Sequence, residues 1–327
     1  MAAETFWLTA TDHARLYTYT WLPAEAPRAV VLLAHGMAEH AGRYGHLGEA
    51  LATAGIALYA PDLRGHGRTA EAGVVGHYAD RGGWSRVLDD LAELARHLHQ
   101  VHPGTPMVLM GHSMGSYLAQ GYLLRHGSGV QGAILSGSNY QPPGFYHAAR
   151  LVARLESLRQ GAKGRSALIE WLSFGTFNKA FRPTRTRFDW LNRDPAAVDA
   201  YINDPLCGFR CTNQLWLDLL QGLALISAPG NLAQVNPRLP ILIVGGSCDP
   251  VSHGKRLTDL AHAWGATGGR PVTLKLYTQA RHEILNEINR EEVIADLLAW
   301  LQQALATQCP ARSEQPPLPN PIRNSHP

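Results

Sequence analysis

Cysteine is scarce in this chain of 327 residues. Cys207, Cys211, Cys248 and Cys309 are the four present, too few and too unevenly spaced for a disulfide framework at this length, and a reducing compartment fits them. Charge of either sign is not in excess: 29 basic and 26 acidic residues leave a formal +3, without the clustered basic surface that nucleic acid requires, so neither DNA nor RNA is an expected partner. Long apolar runs are missing too, since none approaches the roughly 20 residues needed to span a bilayer. The start, Met1-Ala2-Ala3-Glu4-Thr5-Phe6, has neither the basic residues nor the apolar centre of a secretory leader. The cytoplasm is the expected location, with peripheral contact at a membrane left open.

What the chain does have is a hydrophobic content of 45%, enough for a sizeable core. Thr5 to Thr9 and Arg15 to Trp21 read as strands joined by a polar hairpin connection, Ala10 to Ala14. Apolar runs of strand length follow at Ala29 to Ala34, Ile56 to Ala60, Met107 to Met110, Ala133 to Leu135, Ile241 to Val244 and Val272 to Tyr277. Most are continuous rather than alternating, the pattern of parallel strands covered on both faces. Between them lie helical patterns such as Trp84 to His99, with Val87, Leu88, Leu91, Leu94, Ala95 and Leu98 at helical spacing. Strand and helix in alternation predict an α/β, doubly wound, mostly parallel sheet.

The rhythm stops at about Asn139 and resumes after Val235, and the stretch between has helical periodicity only. The expected organisation is therefore an α/β core over 1–138 and 236–308, interrupted by a helical cap over 139–235. The tail 309–327 carries Pro310, Pro316, Pro317, Pro319, Pro321 and Pro327 with few apolar side chains, and is expected to be disordered.

Gly111-His112-Ser113-Met114-Gly115 follows one apolar run directly and precedes a helical stretch, Ser116 to Arg125. Strand, sharp turn and helix are the context of a nucleophile elbow, in which Ser113 is strained and exposed and side chains at Gly111 or Gly115 would strike neighbouring backbone. The pentapeptide alone is a weak signal; its placement strengthens it. A serine hydroxyl is a poor nucleophile near neutral pH and needs a neutral imidazole as base, held in turn by a carboxylate. In such folds both partners follow the serine, at the carboxyl ends of later strands. Among His253, His262, His282 and His326, only His282 follows a strand through a short loop; His253 and His262 fit a helix and His326 the tail. Asp249 closes the run from Ile241, and Pro250 restricts its backbone.

His35-Gly36-Met37 comes straight after another strand, where a second oxyanion donor belongs, so the backbone N–H groups of Met37 and Met114 are the expected pair. Asp62-Leu63-Arg64-Gly65-His66-Gly67 also follows a strand but precedes the serine, and is read as a loop held by local hydrogen bonds.

With these residues assembled, the chain resembles the monoacylglycerol lipase and lysophospholipase branch of the α/β-hydrolases. The resemblance runs from Ala29 to Trp300 through His35-Gly36-Met37-Ala38-Glu39-His40, Gly42-Arg43-Tyr44, the Asp62 to Gly67 loop, the elbow, Asp249-Pro250-Val251 and Arg281-His282-Glu283. It also takes in Phe188-Asp189-Trp190-Leu191 and Asp204 to Phe209 in the cap. One departure is Ala38, where many members carry glycine. If that position requires a left-handed backbone, alanine is disfavoured there by about 1 kcal/mol.

The resemblance implies an eight-stranded sheet and hydrolysis of a single-chain lipid ester, a monoacylglycerol or lysophospholipid, through an acyl-enzyme on Ser113. Its partner would be a small acyl ester, with no metal and no organic cofactor. A carboxylesterase, thioesterase or peptidase could use the same triad, and a catalytically inactive binding module is the alternative of another class. Within the cap, Leu151, Val152, Leu155 and Leu158 form a stripe beside Arg150, Arg154 and Arg159. It reads first as the core-facing side of an amphipathic helix, and otherwise as a surface for docking on anionic lipid. Phe174, Phe177, Phe181, Trp216, Leu219, Leu220 and Leu223 either line an acyl pocket or hold the cap together. Cys207 and Cys211 have helical spacing and read as two core thiols, with no neighbouring Cys or His in sequence to complete a metal site.

Overall fold

Each continuous apolar run becomes a strand of one sheet in the computed structural model, which describes residues 3–266 and 269–306. The strands are β1 (Glu4–Thr9), β2 (Arg15–Trp21), β3 (Ala29–Ala34), β4 (Ile56–Pro61), β5 (Met107–His112), β6 (Gly132–Ser136), β7 (Ile241–Gly246) and β8 (Val272–Tyr277). They lie in the order β1-β2-β4-β3-β5-β6-β7-β8. β2 pairs antiparallel with β1 and β4, and every pairing from β4 to β8 is parallel, the eight-stranded, mostly parallel sheet that was expected. The helices are α1 (Gly45–Thr53), α2 (Gly83–Val101), α3 (Met114–His126), α4 (Pro143–Gln160), α5 (Ala167–Phe174), α6 (Pro195–Asn203), α7 (Asn213–Ile226), α8 (Lys255–Gly265) and α9 (Arg290–Ala306).

Side chains alternate between the two faces of a strand, and β3 displays the result: Val30, Leu32 and Ala34 join one core with α2, α3, α7 and α8, while Ala29, Val31 and Leu33 join the other with α1 and α9. All six residues are buried, which explains a run without polar alternation. β5 reaches His112 and β7 reaches Gly246, both beyond their last apolar residue, because the ladder continues through Gly111↔Leu135, His112↔Ser136, Gly245↔Leu276 and Gly246↔Tyr277. Glycine and histidine give no apolar signature, so pattern alone stops short. Strand order reverses between β3 and β5, and such a switch point opens a crevice at the carboxyl ends of the strands.

Between β6 and β7 lie α4 to α7 and short 3-10 turns, with no strand among the described residues. α7 is sunk into the core through Leu215, Leu219 and Leu223. α4 packs beside it and corrects the first reading of the leucine stripe: Leu151, Leu155 and Leu158 are 60%, 59% and 79% exposed. The inward positions belong to Tyr146, Ala153 and Glu156. Ala153 is small enough for close approach, and the Glu156 carboxylate accepts from Ser166 Oγ at 2.5 Å and Arg159 Nη2 at 2.6 Å, a polar anchor that hydropathy does not reveal. The expectation for the tail after Cys309 falls outside the described residues.

Candidate active site

β5 delivers Ser113 to the crevice and α3 begins at the next residue. Ser113 takes φ 52°, ψ −120°, a conformation costing on the order of 1–3 kcal/mol for a residue with a side chain. Its N–H donates to Ser136 O at 2.8 Å, which fixes the turn. A Cβ at Gly111 would meet the Gly115 carbonyl and lie 2.7 Å from Ser116 Cα, and one at Gly115 would meet the Ala34 carbonyl and lie 2.6 Å from His35 O. A side chain at Gly115 would push the turn off β3, and one at Gly111 would push the start of α3 off β5.

The loops after β7 and β8 bring two further groups to the same point. His282 Nε2 lies 2.9 Å from Ser113 Oγ and its Nδ1 lies 3.0 Å from Asp249 Oδ2. Asp249 and His282 are buried, and the other Asp249 oxygen accepts from Val251 N at 2.8 Å. The loops are stitched together by Cys248 N to Ala280 O, 3.0 Å, and Gln279 N to Ser247 Oγ, 2.9 Å. A carboxylate at Nδ1 selects the tautomer protonated there and leaves the Nε2 lone pair facing the serine. Burial disfavours the imidazolium, but the Asp249 carboxylate and its hydrogen bond outweigh burial, so His282 titrates above the usual histidine range. Of the other candidates, His262 lies on α8, His253 in the turn before it rather than on the helix, and His326 beyond the described residues.

The loop after β3 faces Ser113 from the other side. Gly36 N donates to Glu39 Oε1 at 2.5 Å, and within that turn Ala38 adopts φ 54°. The left-handed conformation costs alanine about 1 kcal/mol. Two donors from between β6 and β7 offset it by holding the Ala38 carbonyl, Gly208 N and Tyr201 Oη, both at 2.9 Å. Met37 lines the cavity beside Ser113, and Met114, as the first residue of α3, has an amide with no intrahelical acceptor. Among the described residues neither amide donates to a protein group, so both are available to a negatively charged oxygen.

Asp62 acts as the sequence predicts, its carboxylate accepting from Ala41 N and Arg68 N at 2.8 Å each. No local pattern singles out the ion cluster beneath the site. Arg43 donates to Glu39 at 2.6 Å and to both oxygens of Glu283 at 2.6 and 2.8 Å, and Tyr44 Oη donates to Glu39 at 2.8 Å. Glu39 sits on the β3 loop and Glu283 next to His282, so one guanidinium joins the two loops. Burial alone would push the Glu39 carboxyl up, but Arg43, with His112, His35 and the Tyr44 hydroxyl, brings it down to about 2. Burial drives His112 down to about 4, so that ring stays neutral beside His282. The only trace of these roles in sequence was the recurrence of Glu39, Arg43 and Glu283 within the motifs of the resemblance.

A cavity of about 280 Å³ opens over Ser113, walled by Met37, Trp171, Phe174, Phe188, Trp190 and Phe209. Of the aromatic and leucine residues proposed as pocket lining, Phe174 reaches it; Phe177 and Phe181 pack around Trp190, and Trp216, Leu219, Leu220 and Leu223 are buried in the core. The Trp190 ring lies 5.2 Å from that of His282. Cys207 and Cys211 are in the loop between α6 and α7 rather than on a helix. Folding brings Cys207, His40 and Asp204 within 4.8 Å of one another at their ligating atoms, a convergence of distant residues, although His40 Nε2 is already bonded to Asp204 at 2.8 Å.

Residues 25–289 match the family model described as serine aminopeptidase, S33. The chain is 30% identical to a monoacylglycerol lipase of Mycolicibacterium smegmatis over 88% of its length and 92% of the relative's. It is 27% identical to human monoglyceride lipase, with 92% and 91% covered. Among solved structures, a thermostable carboxyl esterase from Bacillus coagulans in complex with glycerol superimposes with a TM-score of 0.86 at 26% identity, covering 93% of this chain and 99% of that one.

Proposed function

Because this chain belongs to the serine aminopeptidase S33 family of hydrolases, within the monoacylglycerol-lipase-like α/β-hydrolases, we propose that it cleaves carboxylic esters of single-chain lipids through an acyl-enzyme on Ser113. The observation that carries this reading is the unbroken relay from Asp249 through His282 to Ser113 Oγ, with contacts of 3.0 and 2.9 Å, at the floor of a cavity walled largely by aromatic side chains. In the proposed cycle His282 Nε2 takes the Ser113 proton as Oγ attacks the ester carbonyl, and Asp249 holds the imidazolium that forms. The oxyanion is received by the amides of Met37 and Met114, each such donor supplying about 3 kcal/mol to the transition state. His282 then returns its proton to the leaving alcohol, and water, activated by the same imidazole, releases the acid. A purified sample assayed with p-nitrophenyl esters of graded length, monoacylglycerols and lysophosphatidylcholine tests the reading; no turnover of any would refute it.

A broad carboxylesterase is the second reading, favoured by the likeness to the Bacillus coagulans esterase. Activity confined to short soluble esters would select it.

The rate carries the signature of the base. Only neutral His282 accepts the serine proton, and the Asp249 carboxylate lifts its titration above the ordinary 6.5. Below that midpoint kcat/KM is expected to rise about tenfold per pH unit and then level off above it. A profile falling across the same range would remove His282 as base.

We propose further that α4 to α7 form a cap over the cavity and that Leu151, Leu155 and Leu158 meet a lipid surface, with exposed Arg154 toward anionic headgroups. No helix of the described residues is long and apolar enough to cross a membrane, so the contact is peripheral. Each leucine inserted contributes on the order of 1–2 kcal/mol. Replacing all three by glutamine is expected to weaken co-sedimentation with anionic phospholipid vesicles at least 100-fold, by roughly that arithmetic. Failure of the unaltered protein to bind such vesicles would reject the contact.

A further inference from the structure

The cavity over Ser113 is electrically polarised. At its floor Glu39 and Glu283, two carboxylates, share the single guanidinium of Arg43, leaving that end acidic. At the other end Arg187 and Arg210 line the cavity while remaining exposed to solvent, which places them at its mouth. The carboxylate facing them is Glu170, also on the wall. Burial raises its pKa and Arg210 and Arg187 offset that only in part, so two cations meet one half-buried acid. The Arg187 guanidinium carbon lies 4.6 Å from the centre of the Phe188 ring. Among the described residues neither guanidinium has a hydrogen-bond acceptor.

Resting on the hydrolase reading above, we propose that Arg187 and Arg210 make this site selective for acyl esters that carry a negative charge, a phosphate or a carboxylate, remote from the scissile bond. A guanidinium presents parallel N–H donors that match two oxygens of such a group. The acidic floor repels the same charge, so both ends of the cavity impose one orientation: ester at Ser113, anion at the mouth. A neutral monoacylglycerol gains nothing from either end. Salt at physiological strength screens charges more than about 8 Å apart, and the contact is short enough to act within that distance while keeping a measurable salt dependence.

Two matched pairs of short esters, each below its micelle-forming concentration, test this on the full chain without a lipid surface. One pair is 1-butyrylglycerol and 1-butyrylglycerol 3-phosphate, with the anion on the alcohol side; the other is p-nitrophenyl butyrate and mono-p-nitrophenyl glutarate, with the anion on the acyl side. In at least one pair the anionic ester is expected to have a kcat/KM roughly tenfold above its neutral partner. The advantage should shrink as ionic strength rises from about 0.01 to 0.5 M. It should disappear in the Arg187→Gln/Arg210→Gln double variant and survive in part, still salt-sensitive, in Arg187→Lys/Arg210→Lys. The pair that responds identifies the side on which the anion sits. Turnover of the neutral esters with anionic to neutral ratios that are the same in all three proteins would overturn the selectivity and leave the hydrolase standing. No turnover of any of the four esters by folded protein would overturn the hydrolase reading, and the selectivity with it.

Discussion

Ser113→Ala is expected to lower kcat/KM by at least about 10⁴-fold, to abolish labelling by a fluorophosphonate, and to leave the unfolding transition within about 1 kcal/mol of the original. The substitution removes one oxygen whose bond is the 2.9 Å contact with His282 Nε2. The turn itself is secured elsewhere, by Ser113 N on Ser136 O and by the close approach of Gly111 and Gly115 to neighbouring backbone. The amides proposed to receive the oxyanion also remain, so residual rate above that in water is consistent with the assignment. Turnover near the original level would mean a different nucleophile. Absence of labelling in the unaltered folded protein would instead favour a binding module built on the same fold.

Arg43→Met should cost the fold about 3–5 kcal/mol at neutral pH, the range seen when one member of a buried ion cluster is removed. Glu39 and Glu283 are both buried, and without the guanidinium two carboxylates would face each other uncompensated. Urea denaturation followed by circular dichroism would measure the loss. The sign with pH follows from Glu39, whose folded pKa, about 2, lies below its ordinary 4.5. A lowered pKa contributes stability that is complete above pH 4.5 and is lost as pH falls toward 2. The gap between the two proteins should therefore narrow on acidification through that window. Adding Glu39→Gln and Glu283→Gln to the variant should recover much of the deficit. A single variant as stable as the original would show that the cluster does not hold the two loops together.

The parts of this molecule legible in sequence are those governed by local pattern. β3 is legible to the residue because all six of its side chains are apolar and buried, β8 because β-type and apolar residues span Val272 to Tyr277 even though Leu276 is exposed, and the glycines beside Ser113 because a tight turn demands them. The convergence of Ser113, Asp249 and His282 was foreseen from chain order. Long-range polar contacts were not: Arg43 to Glu283 spans 240 positions, and no periodicity signals it. α4 misled because its buried face is built from Ala153 and a hydrogen-bonded Glu156 while its leucines face outward, the reverse of what an isolated amphipathic helix suggests. The condition placed on Ala38 could be stated from sequence, but its φ of 54° depends on Tyr201 and Gly208, far along the chain.

Glu283 N donates to Leu191 O at 2.8 Å, Arg281 reaches the carbonyls of Asp189 and Asn192, and Arg193 pairs with Glu287 at 2.9 Å. The stretch around Asp189–Arg193 is thus riveted to the segment that carries the imidazole, and it cannot swing aside without dragging His282 from Ser113. Among the described residues α5, which carries Trp171 and Phe174 on the cavity wall, has no hydrogen bond to that segment, so it is the wall left to widen the entrance. An engineer wishing to admit a bulkier acyl group should therefore graft or shorten α5 and leave the rivets alone.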